Sequence, residues 1–332
     1  MSHNWVATVF VSLVLAVSVC SQTTTPKPAP PDKNKFALII SGPGGEPDYS
    51  KQFDQWTTQL QQILTSRYSF PAEQLAILNE TGSKGAKKST AEEVRNAFSS
   101  LQTKLQPDNV LYVFFIGHGS SDGRESKFNL VGRDMSATDY ASLFAALPTK
   151  RIVIFNMSSA SGEFIKSLST KGRVVVTATR SGQEQNATRF PGFFISALSA
   201  SDADADQDGH ISVLEAFAYA TRLTAEFYSR AGRLATEHAL LEDNGDGVGH
   251  EKMEEGDGLL ARATYLDSLN VEQAAANVAT AKLLREKERL ESDINELIGN
   301  KRNLSEAEYE SRLEKLFIEL AKINRTIKQA GS

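Results

Sequence analysis

A mainly parallel α/β sheet flanked by helices is the fold this chain predicts, and three observations carry it. Short apolar runs, Phe36–Ser41, Leu75–Asn79, Val110–Gly117, Arg151–Met157 and Arg173–Thr179, read as strands. Runs such as Val110-Leu-Tyr-Val-Phe-Phe-Ile116 have no polar face, which suits a strand covered on both sides. Amphipathic stretches alternate with the runs, so right-handed crossovers between parallel strands are expected. Thr90-Ala-Glu-Glu93 supplies a capping box that starts one crossover helix.

With 332 residues, 40% of them hydrophobic, the chain has room for one domain of about 200–250 residues plus appendages. A net charge of −5 and a pI near 5.7 leave no basic surplus for phosphates, so no nucleic acid partner is expected. Val6 to Val19 has the length of a signal-peptide core and falls short of the ~20 residues of a membrane span. Residues 1–20 are therefore read as a signal peptide cleaved after Cys20, with small residues at Ser18 and Cys20 and only His3 in the usually basic leading part. The bulky Val19 disfavours a lipid anchor on Cys20. The expected product is exported, periplasmic or secreted, with no transmembrane span.

Residues 21–35, with Pro26, Pro28, Pro30 and Pro31, read as an extended tether to a domain over residues 36–262. Beyond it the composition shifts to Ala, Leu, Glu, Lys and Arg, and residues 263–332 are expected to form a helical hairpin or coiled coil. Leu290, Ile294 and Leu297, and then Tyr309, Leu313, Leu316, Leu320, Ile323 and Ile327, follow heptad spacing. Ser305 with Glu308 makes a capping box and Leu304 with Tyr309 a hydrophobic staple, which places the turn near Gly299–Leu304. Such an arm serves oligomerisation or docking, or folds back on its own domain.

Cys20 is the only cysteine, so the cleaved chain has no disulfide, no thiolate metal site and no thiol nucleophile. Functional groups of an open parallel sheet collect beyond the carboxyl ends of its strands. Two such ends carry chemistry: Gly117-His118-Gly119-Ser120, and Asn156-Met-Ser-Ser159-Ala-Ser161-Gly162.

The order strand–His–Gly, helix, strand–Cys–x–Ser–Gly belongs to the caspase/legumain-like clan of cysteine peptidases, and this chain resembles it, bacterial legumain-like proteins included, over about Phe36 to Gly249. His118-Gly119 matches the first half, Ser159-Ala160-Ser161-Gly162 matches the second with serine in place of the nucleophilic cysteine, and Val174–Arg180 resembles the strand that follows. The resemblance implies a caspase-like sheet and a degenerate catalytic pair, His118 and Ser159. Placing Ser158 at the nucleophile position leaves a hydroxyl there too. A thiol is partly ionised near neutral pH, whereas a serine needs a well-oriented base and a third group to fix that base. Three readings follow: a pseudopeptidase whose crevice binds a peptide or protein without cutting it, a hydrolase using Ser159 with His118 as base, and a structural scaffold.

The fullest motif is Asp204-Ala-Asp206-Gln-Asp208-Gly209-His210-Ile211-Ser212-Val213-Leu214-Glu215, an EF-hand-like loop. Asp204, Asp206, Asp208 and Glu215 supply carboxylates, His210 its carbonyl, and Ser212 a contact through water. Oxygen ligands of this kind suit Ca²⁺. Phe193–Ser201 and Ser212–Tyr228 are the expected flanking helices. The plainer alternative is a solvated acidic turn that starts the helix at Ser212. Asp243-Asn-Gly-Asp246-Gly247 is too short for a second such loop and reads as a turn or a separate acidic loop. Ser41-Gly-Pro-Gly-Gly45 reads as a strand-to-helix turn, and Gly82–Thr90 lacks the consecutive Gly-Lys of a phosphate loop. Sequons such as Asn186-Ala-Thr188 matter only in a eukaryotic secretory host.

Overall fold

A computed structural model describes residues 31–206, 209–253, 257–267 and 304–330, with isolated positions between 283 and 301. The signal peptide, most of the tether, Asp208 and much of the first hairpin arm lie outside the described residues.

Seven strands form one sheet: β1 (Lys35–Ser41), β2 (Leu75–Asn79), β3 (Lys87–Lys88), β4 (Val110–Ile116), β8 (Arg151–Asn156), β9 (Arg173–Thr177) and β10 (Leu240–Glu242), in the order β10-β9-β8-β4-β1-β2-β3. Every pair is parallel except β10 with β9. Three short strands, β5 (Gly119–Ser121), β6 (Ser126–Phe128) and β7 (Met135–Ser136), form a separate antiparallel sheet after β4. The five expected strands form the centre, and the two edge strands are too short to leave an apolar run.

Alternation along the strands divides the core. Ala37, Ile39, Phe114, Phe155 and Val176 face α1 (Pro47–Ser66), α5 (Phe190–Ala197) and α6 (Val213–Arg230). Leu38, Ile40, Val113, Ile154 and Val175 face α2 (Ala91–Lys104), α3 (Ala137–Ala145) and α4 (Phe164–Leu168). With both faces covered, the parallel sheet has no polar side, as its sequence requires.

Helix starts show where local reading ends. Thr90 Oγ1 accepts the Glu93 N–H at 3.2 Å, but the Glu93 carboxylate pairs with Lys87 at 2.8 Å, so only half of the expected capping box forms. A complete box, Ser136 with Asp139, starts α3. Helix α5 begins at Phe190, three residues before the expected start, with Pro191 in its first turn. The Glu237 carboxylate accepts the Arg189 and Phe190 N–H groups and caps this helix from 47 residues away.

The core continues past residue 262. After α7 (Leu259–Arg262), Leu266 is fully buried, the Tyr112 hydroxyl donates to the Tyr265 carbonyl at 2.7 Å, and Lys35 Nζ donates to the Leu266 carbonyl. Farther on, Leu290, Ile294 and Leu297 are buried, Ser305 Oγ accepts the Glu308 N–H at 3.4 Å, and α8 spans Glu306–Ala330. No helix among the described residues is long and apolar enough to cross a membrane.

Candidate functional site

His118 and Ser159 follow β4 and β8, which are neighbours in the sheet, so the topology brings the two segments together. The His118 ring packs edge-on against Tyr49 and Phe53 of α1, with centroids 4.9 and 5.0 Å away. Burial holds its pKa below the usual imidazole value, against a weaker upward pull from the Gly44 backbone and the Glu46 carboxylate.

The Ser159 hydroxyl turns to backbone instead. Its Oγ accepts the Gly119 N–H and donates to the Gly119 carbonyl, both at 3.0 Å, and the residue is 1% exposed. Among the described residues no hydrogen bond joins Ser159 to the His118 ring. Ser158 is equally committed, donating to Asn156 Oδ1 at 2.7 Å. Gly119 must be glycine, because a Cβ there would lie 2.2 Å from the Ser159 carbonyl oxygen.

The turn after β8 is held from several sides. Ala160 has φ +51°, a left-handed conformation costing about 1 kcal/mol for a residue with a side chain, and its N–H donates to the Glu184 carbonyl at 2.8 Å. The Ser161 and Gly162 N–H groups share Thr179 Oγ1, and a Cβ on Gly162 would lie 2.2 Å from the Arg180 carbonyl carbon. Behind this turn the Glu184 carboxylate contacts His238 Nδ1 at 2.5 Å and Arg180 Nε at 3.2 Å. Sequence reasoning missed this support. Glu184 and His238 are 54 positions apart, and neither lies in a motif.

The acidic loop lies at the other end of the sheet. Its anchor is a bridge between Ser212 and Tyr265, reinforced by the Val213 N–H donating to the Thr264 carbonyl at 2.8 Å. Tyr265 and Leu266 in turn reach Tyr112 and Lys35, near the amino ends of β4 and β1. Asp204, Asp206 and Glu215 offer carboxylate oxygens within 4.8 Å of one another. Glu215 Oε1 accepts the Ala205 and Asp206 N–H groups, while Oε2 accepts from Ser212. Gly209 has φ +92° and donates its N–H to Asp204 Oδ2 at 3.0 Å, the sharp turn that glycine permits. The Ser212 hydroxyl forms the α6 cap, and the His210 ring contacts Asp267. Oxygen ligands in this arrangement suit a hard cation.

The second acidic stretch serves as a connector. Asp243 Oδ1 and Oδ2 accept the Gly258 and Ala261 N–H groups, each at 2.9 Å, which starts α7.

No family model matches the chain, and no curated protein matches it. Among solved structures, the crystal structure of protein GSU0716 from Geobacter sulfurreducens is similar over 71% of this chain and 99% of that one, at 10% identity and a TM-score of 0.45. A likeness of that size carries no argument about family or chemistry.

Proposed function

We propose that the protein is an exported, calcium-binding pseudopeptidase of the caspase/legumain-like type, whose crevice beside His118 binds a peptide or protein without cutting it. The observation that carries the reading is the position of the Ser159 hydroxyl, buried and bonded to both backbone groups of Gly119. A nucleophilic serine must hand its proton to a base, and the hydrogen bond of this hydroxyl points at a backbone carbonyl, which cannot take it. The Gly119 N–H is the kind of donor that stabilises an oxyanion in acyl transfer, and here the serine occupies it. The Asp204–Glu215 loop supports the calcium part, through its spacing and the convergence of three carboxylates.

One observation favours the hydrolase alternative: burial keeps His118 neutral, the form a general base needs. A mixed peptide library incubated with wild type, Ser159→Cys and Ser159→Cys with His118→Ala decides between them. The expected result is no turnover by wild type and retained peptide binding. Ser159→Cys restores measurable turnover only where the thiol can leave Gly119 and reach His118. Wild-type hydrolysis that is blocked by a fluorophosphonate and lost in Ser159→Ala would establish a serine hydrolase.

A further inference from the structure

Two segments without an assigned role, residues 41–45 at the end of β1 and residues 79–85 at the end of β2, come together beside α1. With the first turns of α1 they line an open pocket of about 200 Å³. Phe53 is shared, since it lines the cavity and also packs against His118.

Most of the lining surface is apolar, and Ser41, Ser50, Thr81 and Ser83 bring hydroxyl groups to it. Asp54 and Glu80 contribute carboxylates and Lys84 one ammonium. Lys84 Nζ pairs with Asp54 Oδ2 at 2.7 Å, yet these side chains are 62% and 44% exposed, so the pair is worth little and is readily exchanged. Glu80 accepts a single long hydrogen bond, from the Gly44 N–H at 3.4 Å, and has no ion pair among the described residues. Ser41 continues the alternation of β1 onto the α1 face. It is 3% exposed, lines the cavity, and its hydroxyl has no hydrogen-bond partner among the described residues.

We infer that this cavity is a subsite for a guanidinium or primary ammonium group, the head of an arginine or lysine side chain. Such heads only donate hydrogen bonds, and ionised carboxylates only accept them, so Glu80 and Asp54 complement them. An anionic ligand would meet two like charges there. The volume falls below the roughly 300–1,000 Å³ of sites for whole drug-sized ligands, and it suits one side-chain head whose stem lies along Phe53. The cation site stands by itself; its place along a bound peptide rests on the proposed function.

Calorimetric titration of the intact protein with N-acetyl-arginine amide, and with its neutral isostere N-acetyl-citrulline amide, tests the inference. Binding of the arginine compound only is expected, weakened at least tenfold in Glu80→Gln and strengthened in Lys84→Ala, which frees Asp54. Melting curves confirm that both variants are folded. Equal binding of the two compounds, or none of the arginine compound, overturns the subsite. A peptide library then separates the two proposals. Arginine binding without any peptide binding removes the peptide-groove reading and leaves the subsite, whereas peptide binding with no preference for basic residues removes the subsite and leaves the groove.

Discussion

The two ends of the sheet satisfy their polar groups in opposite ways. At the carboxyl ends of β4 and β8, Ser158, Ser159, Ser161 and Thr179 are paired with backbone, with one another or, for Ser158, with the Asn156 side chain. Near the amino ends, roughly 20 Å away along a seven-residue strand, three carboxylates converge within 4.8 Å. Two unit charges about 5 Å apart repel by about 1 to 3 kcal/mol as the effective dielectric falls from 80 to 20. The first end spends most of its polar groups on internal hydrogen bonds, although buried Asn156 Nδ2 has no partner among the described residues, and the second gathers like charges that a cation would neutralise.

The sharpest separation of the two ends comes from the chain between them and the C-terminal arm. Truncation after Arg262 removes buried Leu266 and the carbonyls that receive Tyr112, Lys35 and Val213. Lost burial and unpaired donors together cost about 5 kcal/mol or more, enough to end cooperative unfolding in a marginal domain. Truncation after Asp267 keeps all of these contacts and is expected to keep a cooperative thermal melt. Equal melts for the two truncations would show that residues 263–267 are not part of the core.

Calcium should move the loop end alone. At a hundredfold excess over the dissociation constant, binding to the native state adds about 2.7 kcal/mol, or roughly 5–10 °C for a domain of this size. Differential scanning calorimetry with Ca²⁺ and with chelator measures it, and Glu215→Gln should abolish the difference. If the two wild-type traces coincide, the loop is only a helix start and the contrast between the ends disappears.

These contrasts were unevenly legible in the sequence. The central strands announce themselves because a strand covered on both faces is apolar along its middle, as Val110–Ile116 and the three valines of Arg173–Thr177 are. Edge strands of two or three residues, Lys87–Lys88 and Leu240–Glu242, carry no such run. The α5 start is not legible locally because its capping carboxylate, Glu237, comes from a distant part of the chain. At the site, strand-end reasoning finds the His118 and Ser159 segments, and the sheet order places their strands side by side. The direction of the Ser159 hydroxyl is set by the backbone of Gly119, and backbone groups are the same at every position. The loop's ligand spacing is local and readable, while its bridging partner Tyr265 is visible only after folding.

At the crevice end, close packing predicts a smaller loss that isolates Gly119. A Cβ there meets the Ser159 and Lys127 carbonyl oxygens at 2.2 and 2.9 Å, whereas one on Gly123 meets nothing within 4 Å. Gly119→Ala should cost about 2–3 kcal/mol by overpacking, and Gly123→Ala only about 1 kcal/mol for its φ of +82°. Urea denaturation compares them, and equal costs would mean that the 158–159 segment yields easily, which would reopen a catalytic role for Ser159.

The smallest effect expected is a pH dependence at the loop end. Burial lowers the Lys35 pKa to about 8, against the opposing pull of Asp32 and Asp267. In the unfolded chain the group titrates near its ordinary value of about 10.4. Between about pH 8 and 10 the unfolded state therefore holds a proton that the folded state has released, and stability contributed by this group rises with pH. Below about pH 8 both states are protonated and the contribution is flat. Tyr68 and Tyr112, whose pKa values burial raises, work in the opposite sense once free tyrosine begins to ionise near pH 10, so the window closes there. Lys35→Met loses the hydrogen bond to the Leu266 carbonyl at every pH, which offsets its whole curve. The slope is the diagnostic. Melting temperature measured from about pH 7 to 9.5 should climb above pH 8 in wild type relative to the variant. Parallel curves would mean that the pull of Asp32, 3.7 Å from Lys35 Nζ, and of Asp267 outweighs burial and that Lys35 keeps its proton throughout.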